Sequence, residues 1–199
     1  MKPKQVFRTY EVGGKVPDPR RFCVRCGEEY PSEAGDVPGA VCRKCGHVHY
    51  RNPAPAVSVL VNDNGRVLLC RRRAGRFQGG LWCLPCGYIE YHEDFLTAAV
   101  REVKEETGVD VRVKAIVSVC SNFFTPDLHT LVVVLLAEPV GGKLAQGDDE
   151  NDAVQWFTFA DGLPSMAFEA DDHIIKRYFA TRLAGAPVES PKSIDDPRS

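Results

Sequence analysis

Glu102, Glu105 and Glu106 stand at i, i+3 and i+4 in the run "REVKEE". On a helix they fall within an arc of about 100°. Like charges so placed repel, and acids near a helix C-terminus oppose the macrodipole. Local stability does not select this arrangement, but a divalent cation does. Carboxylate oxygens on one rigid face suit Mg²⁺ or Mn²⁺, which would in turn clamp a phosphate-bearing substrate. Arg101 and Glu105 are four apart and can pair, which would orient a ligand from behind. Taken without its surroundings, the run is more simply a solvated acidic face balanced by Arg101 and Lys104.

A second constellation is Cys23-x-x-Cys26 and Cys42-x-x-Cys45, with fifteen residues between the pairs. That is the spacing of a four-thiolate zinc site. Each pair can form a tight turn that aims two sulfurs at one ion, and Gly27 and Gly46 relieve the backbone just after it. A closed all-cysteine site is structural, replacing a missing apolar core with metal–ligand bonds. Free thiols or two disulfides are the competing readings, and His47 and His49 are possible substitute ligands. A third pair, Cys83 and Cys86 in "CLPC", reads as small packed thiols rather than a redox pair or another metal site.

The elements that must position these residues follow from periodicity and turn signals. Residues 1–21 read as a flexible arm and 22–50 as a zinc ribbon. "RNPAP" then makes a stiff connection, because each proline restricts itself and its predecessor. Strands "AVSVLV" and "VLLCRR" flank the turn signal "NDNG". The loop "RAGRFQGGLWCLPCG" follows. A helix over 93–107 comes next, with Leu96, Ala99, Val100, Val103 and Thr107 as its core stripe and Gly108 as its C-cap. Further strands are predicted in "VDVRVKAIVSVC", "HTLVVVLLAEPV" and "AVQWFTF". "FEADDHIIKRYFATRLA" reads as a closing amphipathic helix, and 184–199 as a disordered tail. Strands interleaved with two helices predict an α/β fold, a mixed sheet packed between helices.

The 199 residues suit one ordinary domain plus a small module, and 44% hydrophobic residues suffice for a packed core. No apolar run approaches the roughly 20 residues that span a bilayer, and the N-terminus lacks a signal-peptide pattern. A soluble cytoplasmic protein with no membrane partner is the expectation, and the eight cysteines then favour metal or reduced thiols over disulfides. The net charge of -2 argues against a general nucleic-acid binder, although the first 25 residues carry seven basic and two acidic side chains.

The pattern Gly87, five residues, Glu93, seven residues, then Arg101-Glu102-Val103-x-Glu105-Glu106-x-Gly108-Val109 resembles the Nudix box at all nine constrained positions. The resemblance covers roughly residues 54–183. It implies an α/β/α sandwich with a mixed sheet, and hydrolysis of a nucleoside diphosphate derivative by in-line attack of water with divalent metal. Carried over residue by residue, Glu102, Glu105 and Glu106 would ligate Mg²⁺ or Mn²⁺ and share the basic role. Glu93 and Arg101 would hold the box in shape, and Gly87 would permit a tight loop into the helix. Family members often add an acid from a later loop; Asp148, Asp149, Glu150 and Asp152 are available, and Glu150 is the choice because it shortly precedes the strand with Trp156. Cys86 stands where relatives often have a smaller residue.

With its short ribbon, the chain looks more like ADP-ribose and FAD diphosphatases than NADH pyrophosphatases. "SVCSNFFTPDLHTL" stands where the latter carry an S-Q-P-W-P-F-P type motif. Phe77, Phe123 and Phe124 are candidates for stacking on adenine, and Arg71, Arg72, Arg73 and Arg76 for meeting phosphate. A homodimer is a family-level expectation. The alternative from another class is a nucleotide sensor whose ribbon and basic arm contact nucleic acid.

Overall fold

The computed structural model describes residues 5–10, 20–30, 40–146, 149–182 and 185–188. Asp148 and most of the predicted arm and tail therefore lie outside the described residues. The chain divides into two units.

The larger unit comprises residues 1–7, 55–122 and 130–199. Its framework is a sheet in the order β1 (Val6–Arg8), β8 (Val109–Thr125), β9 (Leu128–Gly142), β4 (Ala54–Asp63), β5 (Arg66–Arg72), β10 (Asn151–Thr158). Short strands β6 (Trp82–Cys83), β7 (Cys86–Tyr88) and β11 (Ala186–Pro187) pair with β5, β4 and β8 respectively.

Side chains alternate across a strand, and β4 shows why there are two cores. Val57, Val59 and Val61 pack with Ala98, Ala99 and Val103 of helix α1 (Phe95–Thr107). Ala56 and Leu60 pack with Ile174, Ile175 and Phe179 of helix α2 (Glu169–Thr181). The expected α/β sandwich is thus formed, with one helix on each face of the sheet.

The β4–β5 turn is tighter than "NDNG" implied: Asn64 (φ 50°) and Gly65 (φ 92°) make a two-residue connection. Two positive φ values match the right-handed twist of a hairpin. Several expectations need correction. The segment read as a flexible arm contains β1, in which Phe7 is buried. The predicted tail contributes β11, paired at Ala186–Ile116. The loop after β5 contains β6 and β7, whose two- and three-residue lengths give no period to detect.

The smaller unit comprises residues 8–54 and 123–129. It contains β2 (Ala40–Val41) and β3 (Val48–His49), an antiparallel pair. Its two C-x-x-C turns have the same hydrogen bonding. In each, the first cysteine N–H donates to a carbonyl five residues on (Cys23 to Glu28, 2.7 Å; Cys42 to His47, 2.9 Å). The following glycine N–H donates back to that cysteine's carbonyl, at 2.9 Å in both. Gly27 and Gly46 have φ of 72° and 71°, where a side chain would be strained.

Candidate active site and cysteine quartet

Helix α1 begins later than predicted. Asp94 is its N-cap, accepting from the Leu96 and Thr97 N–H groups at 2.8 and 3.0 Å. Glu93 is therefore outside the helix. Gly108 caps the C-terminus at φ 72°, donating to the Lys104 carbonyl at 2.9 Å.

The buried face is also rotated from the predicted stripe. Val100 is 40% exposed, whereas Glu106 is only 3% exposed. A buried carboxylate demands partners, and Glu106 has them. Its Oε2 accepts from the Cys86 backbone N–H at 3.0 Å, with the Cys70 thiol at 3.7 Å. Its Oε1 accepts from Asn151 Nδ2 at 3.0 Å, and Asn151 is fully buried. Sequence reasoning missed Asn151; its one signal is its place directly after Glu150.

Arg101 gathers the rest of the acidic cluster. Its Nε and Nη2 donate to the two oxygens of Glu93 at 3.0 and 2.5 Å. Its Nη1 donates to Glu102 at 2.8 Å and Glu105 at 3.0 Å, and Nη2 reaches the Tyr88 carbonyl at 3.1 Å. A planar five-donor fork can serve several acceptors at once; a lysine cannot. Arg101 holds the Glu93 carboxyl down at about 2, against burial and with help from the Glu90 N–H.

Glu102 behaves oppositely. Burial pushes its pKa up, Arg101 resists, and the neighbouring charges of Glu105 and Glu150 push it further. Gly87 bears on the same carboxylate. It lacks a positive φ, the conformation that would by itself favour glycine, but a Cβ there would overlap the Glu102 carboxyl group. Close approach, rather than turn conformation, requires the glycine.

The three box glutamates do not converge as a ligand cluster. Glu102 and Glu105 share Arg101 and Glu106 turns inward. Their chemistry still fits a hard divalent cation: the donors are carboxylate oxygens on one helix, and at Glu102 burial and the charges of Glu105 and Glu150 outweigh the one guanidinium beside it. Glu150 immediately precedes Asn151, is exposed, and lies close enough to raise Glu102. Asp149 faces Arg73 at 3.6 Å, and Asp152 is paired with Arg71 at 2.6 Å.

Arg72 donates through Nε to the Phe77 carbonyl at 2.7 Å and lies 5.5 Å over the Phe168 ring. Phe77 and Phe168 are stacked, 6.4 Å apart with 25° between planes, and Phe77 is 43% exposed. Phe168 and Cys86 both pack against the cluster of Cys70, Cys83 and Ala167, whose Cys70 thiol reaches Glu106. Phe123, by contrast, stacks on His129 at 3.9 Å in the smaller unit, which also contains Phe124.

In the smaller unit the sulfurs of Cys23, Cys26, Cys42 and Cys45 lie within 4.8 Å of one another. This quartet is the one metal-ligand cluster of three or more such side chains found among the described residues. Burial would raise the Cys23 thiol, but the Arg25 and Cys26 N–H groups outweigh it and bring it down to about 6. The Glu28 N–H pulls Cys26 down, but burial and the three neighbouring thiols push it up to about 12. One thiol thus ionises at its neighbour's expense, and a dication is the group that lets all four lose protons. Cys83 and Cys86 are different. Cys86 is pushed well above the usual thiol range by Cys83 and by burial, and the Cys83 thiol is raised as well, so both favour the protonated form.

The model of the NUDIX domain family matches residues 52–178. The ADP-ribose pyrophosphatase of Methanocaldococcus jannaschii is 36% identical over 133 residues, 65% of this chain and 75% of that protein. The NAD-capped RNA hydrolase NudC of Stutzerimonas stutzeri is 32% identical over 165 residues, 82% of this chain. This chain spans only 57% of that relative's length. A solved NUDIX hydrolase from Nitrosomonas europaea matches 86% of this chain and 97% of its own, at TM-score 0.68 and 28% identity.

Proposed function

The chain belongs to the NUDIX hydrolase family, and on that footing we propose that it hydrolyses the diphosphate bond of ADP-ribose or FAD. The observation that carries the chemistry is the arrangement around α1. Glu106 is fixed between the Cys86 N–H and Asn151, while Arg101 gathers Glu93, Glu102 and Glu105 beside it. The substrate class is supported by the 36% identical relative named an ADP-ribose pyrophosphatase.

In the reaction a water oxygen bonds to one phosphorus, the bridging P–O bond breaks, and one water proton leaves to a carboxylate. ADP-ribose then yields AMP and ribose 5-phosphate, and FAD yields AMP and FMN. Glu102, Glu105 and Glu106 would hold Mg²⁺ or Mn²⁺, which when bound neutralises diphosphate charge and makes water a stronger nucleophile. Glu150 would serve as the further acid, a role supported by its charge being felt at Glu102. Arg101 and Glu93 fix the helix entry, and Gly87 leaves room for the Glu102 carboxylate. Phe77 offers an exposed ring for the adenine, with Phe168 and Arg72 behind it.

The cysteine quartet would hold a structural Zn²⁺. Four reduced thiols suit a cytoplasmic location, and among the described residues no helix is long and apolar enough to cross a membrane.

A second reading, cleavage of NADH or of an NAD cap on RNA, is favoured by the NudC match, which extends over 82% of the chain. The sequence "SVCSNFFTPDLHTL" weighs against it. A panel of ADP-ribose, FAD, NADH, NAD-capped RNA, diadenosine polyphosphates and nucleoside triphosphates, with Mg²⁺ or Mn²⁺ and product identification, separates the readings. Fastest turnover of NADH or capped RNA would replace the first with the second.

A further inference from the structure

We infer that Asp171, on α2 and outside the acidic box, is a positioning residue for the box carboxylates, acting through the segment Leu84-Pro85-Cys86. This segment links β6 to β7 and has few ways to satisfy its backbone. Leu84 and Cys83 are fully buried. The Leu84 N–H donates to Asp171 Oδ2 at 3.0 Å. Pro85 has no N–H to place, and its carbonyl accepts from the Val59 N–H at 2.9 Å. The Cys86 N–H donates to Glu106 Oε2 at 3.0 Å.

Both backbone donors of the segment thus end on buried carboxylates, Asp171 at 5% and Glu106 at 3% exposure. The two acids come from opposite helices, α2 and α1. Immediately after the segment, Gly87 lies against the Glu102 carboxyl group so closely that a Cβ would overlap it. One short backbone stretch is therefore the wall for both Glu102 and Glu106, and Asp171 holds it from the other side. Asp171 stands in the first turn of α2, where its charge also suits the helix dipole.

This role rests on the reading of Glu102 and Glu106 as active-site groups, so the test includes a measurement that needs no turnover. Asp171→Ala removes the acceptor, and Asp171→Glu keeps the charge but displaces it by one methylene. Each should lower kcat at least ten-fold with KM within about two-fold, and each should shift the Cys86 amide resonance. Asp171→Asn keeps a carbonyl oxygen for Leu84 and should stay within about three-fold of wild-type kcat, with the Cys86 amide unmoved. Asp172→Ala, whose carboxylate pairs with exposed Lys176 at 2.7 Å, should change neither. If Asp171→Ala does not fold, Asp171→Glu and Asp171→Asn decide. A folded Ala or Glu variant with wild-type kcat and an unmoved Cys86 amide would overturn the role, as would an Asn variant as impaired as the Ala variant. If no diphosphate is cleaved by the wild type, the function proposed above fails, and the amide shifts still decide whether Asp171 positions the segment.

Discussion

Arg101 grips Glu93 with two donors, Nε at 3.0 Å and Nη2 at 2.5 Å, across the start of α1. The Glu93 side chain is only 5% exposed, and its carboxyl is held down at about 2. A depressed folded-state value means that the pair's stabilisation is complete above the ordinary carboxyl range and is lost as pH falls towards 2. Arg101→Lys keeps the charge but loses the fork, and so cannot hold Glu93, Glu102 and Glu105 together. It should lower Tm, narrow the difference in acid resistance between variant Glu93→Gln and its own parent, and reduce kcat at least ten-fold. Thermal denaturation from pH 3 to 7, alongside kinetics, checks this; unchanged kcat in the Lys variant would remove Arg101 from the machinery.

The cysteine quartet should carry one equivalent of zinc per chain in elemental analysis. Cys23→Ser or Cys42→Ser should lose it, because each removes one of four ligands. Purified protein without zinc and with two disulfides would refute the assignment.

Phe77→Ala should raise KM for ADP-ribose about five-fold and leave kcat within two-fold, since a stacking ring contributes to binding and not to the phosphorus chemistry. Equal KM values for the two proteins would move the adenine elsewhere.

Burial pushes the Asp171 carboxyl up to about 7, against the Leu84 N–H, the Ser58 hydroxyl and Arg72. The folded state therefore binds this proton more tightly than the unfolded chain. Stability linked to it is present below the ordinary carboxyl range and is lost as pH rises through 7. Asp171→Asn should gain stability relative to wild type between pH 4 and 8, on the order of 3–4 kcal/mol. Urea unfolding of both proteins at each pH measures the difference, and a constant difference would contradict the shift.

The box is legible because it is a local pattern, a helix and the segment that enters it: Gly87, Glu93 and the three glutamates stand at fixed spacings within 23 residues. The direction of each side chain is not. A helical wheel ranks Val100 above Glu106 for burial, since it weighs hydrophobicity alone. The Cys86 N–H and Asn151 reverse that order, and they lie on strands distant in sequence. Asp171 was hidden for the same reason: an acid in the first turn of an amphipathic helix reads as solvated, and only the sheet brings Leu84 to it. The β1, β6, β7 and β11 strands are too short to show a period, and exist because longer strands offer them edges.

The most direct measurement is AMP release from ADP-ribose and FAD with Mn²⁺ or Mg²⁺, by the wild type and by Glu105→Gln and Glu106→Gln. Both variants should fold and lose activity about a hundred-fold or more. Glu106→Gln should also lose about 1–3 kcal/mol of stability, because its amide group sets a donor against one of two buried donors. Glu105, half exposed on Arg101, should lose little stability when changed. Metal-dependent AMP release by the wild type alone is the predicted result; full activity in both variants, or none towards any diphosphate in the wild type, would contradict it.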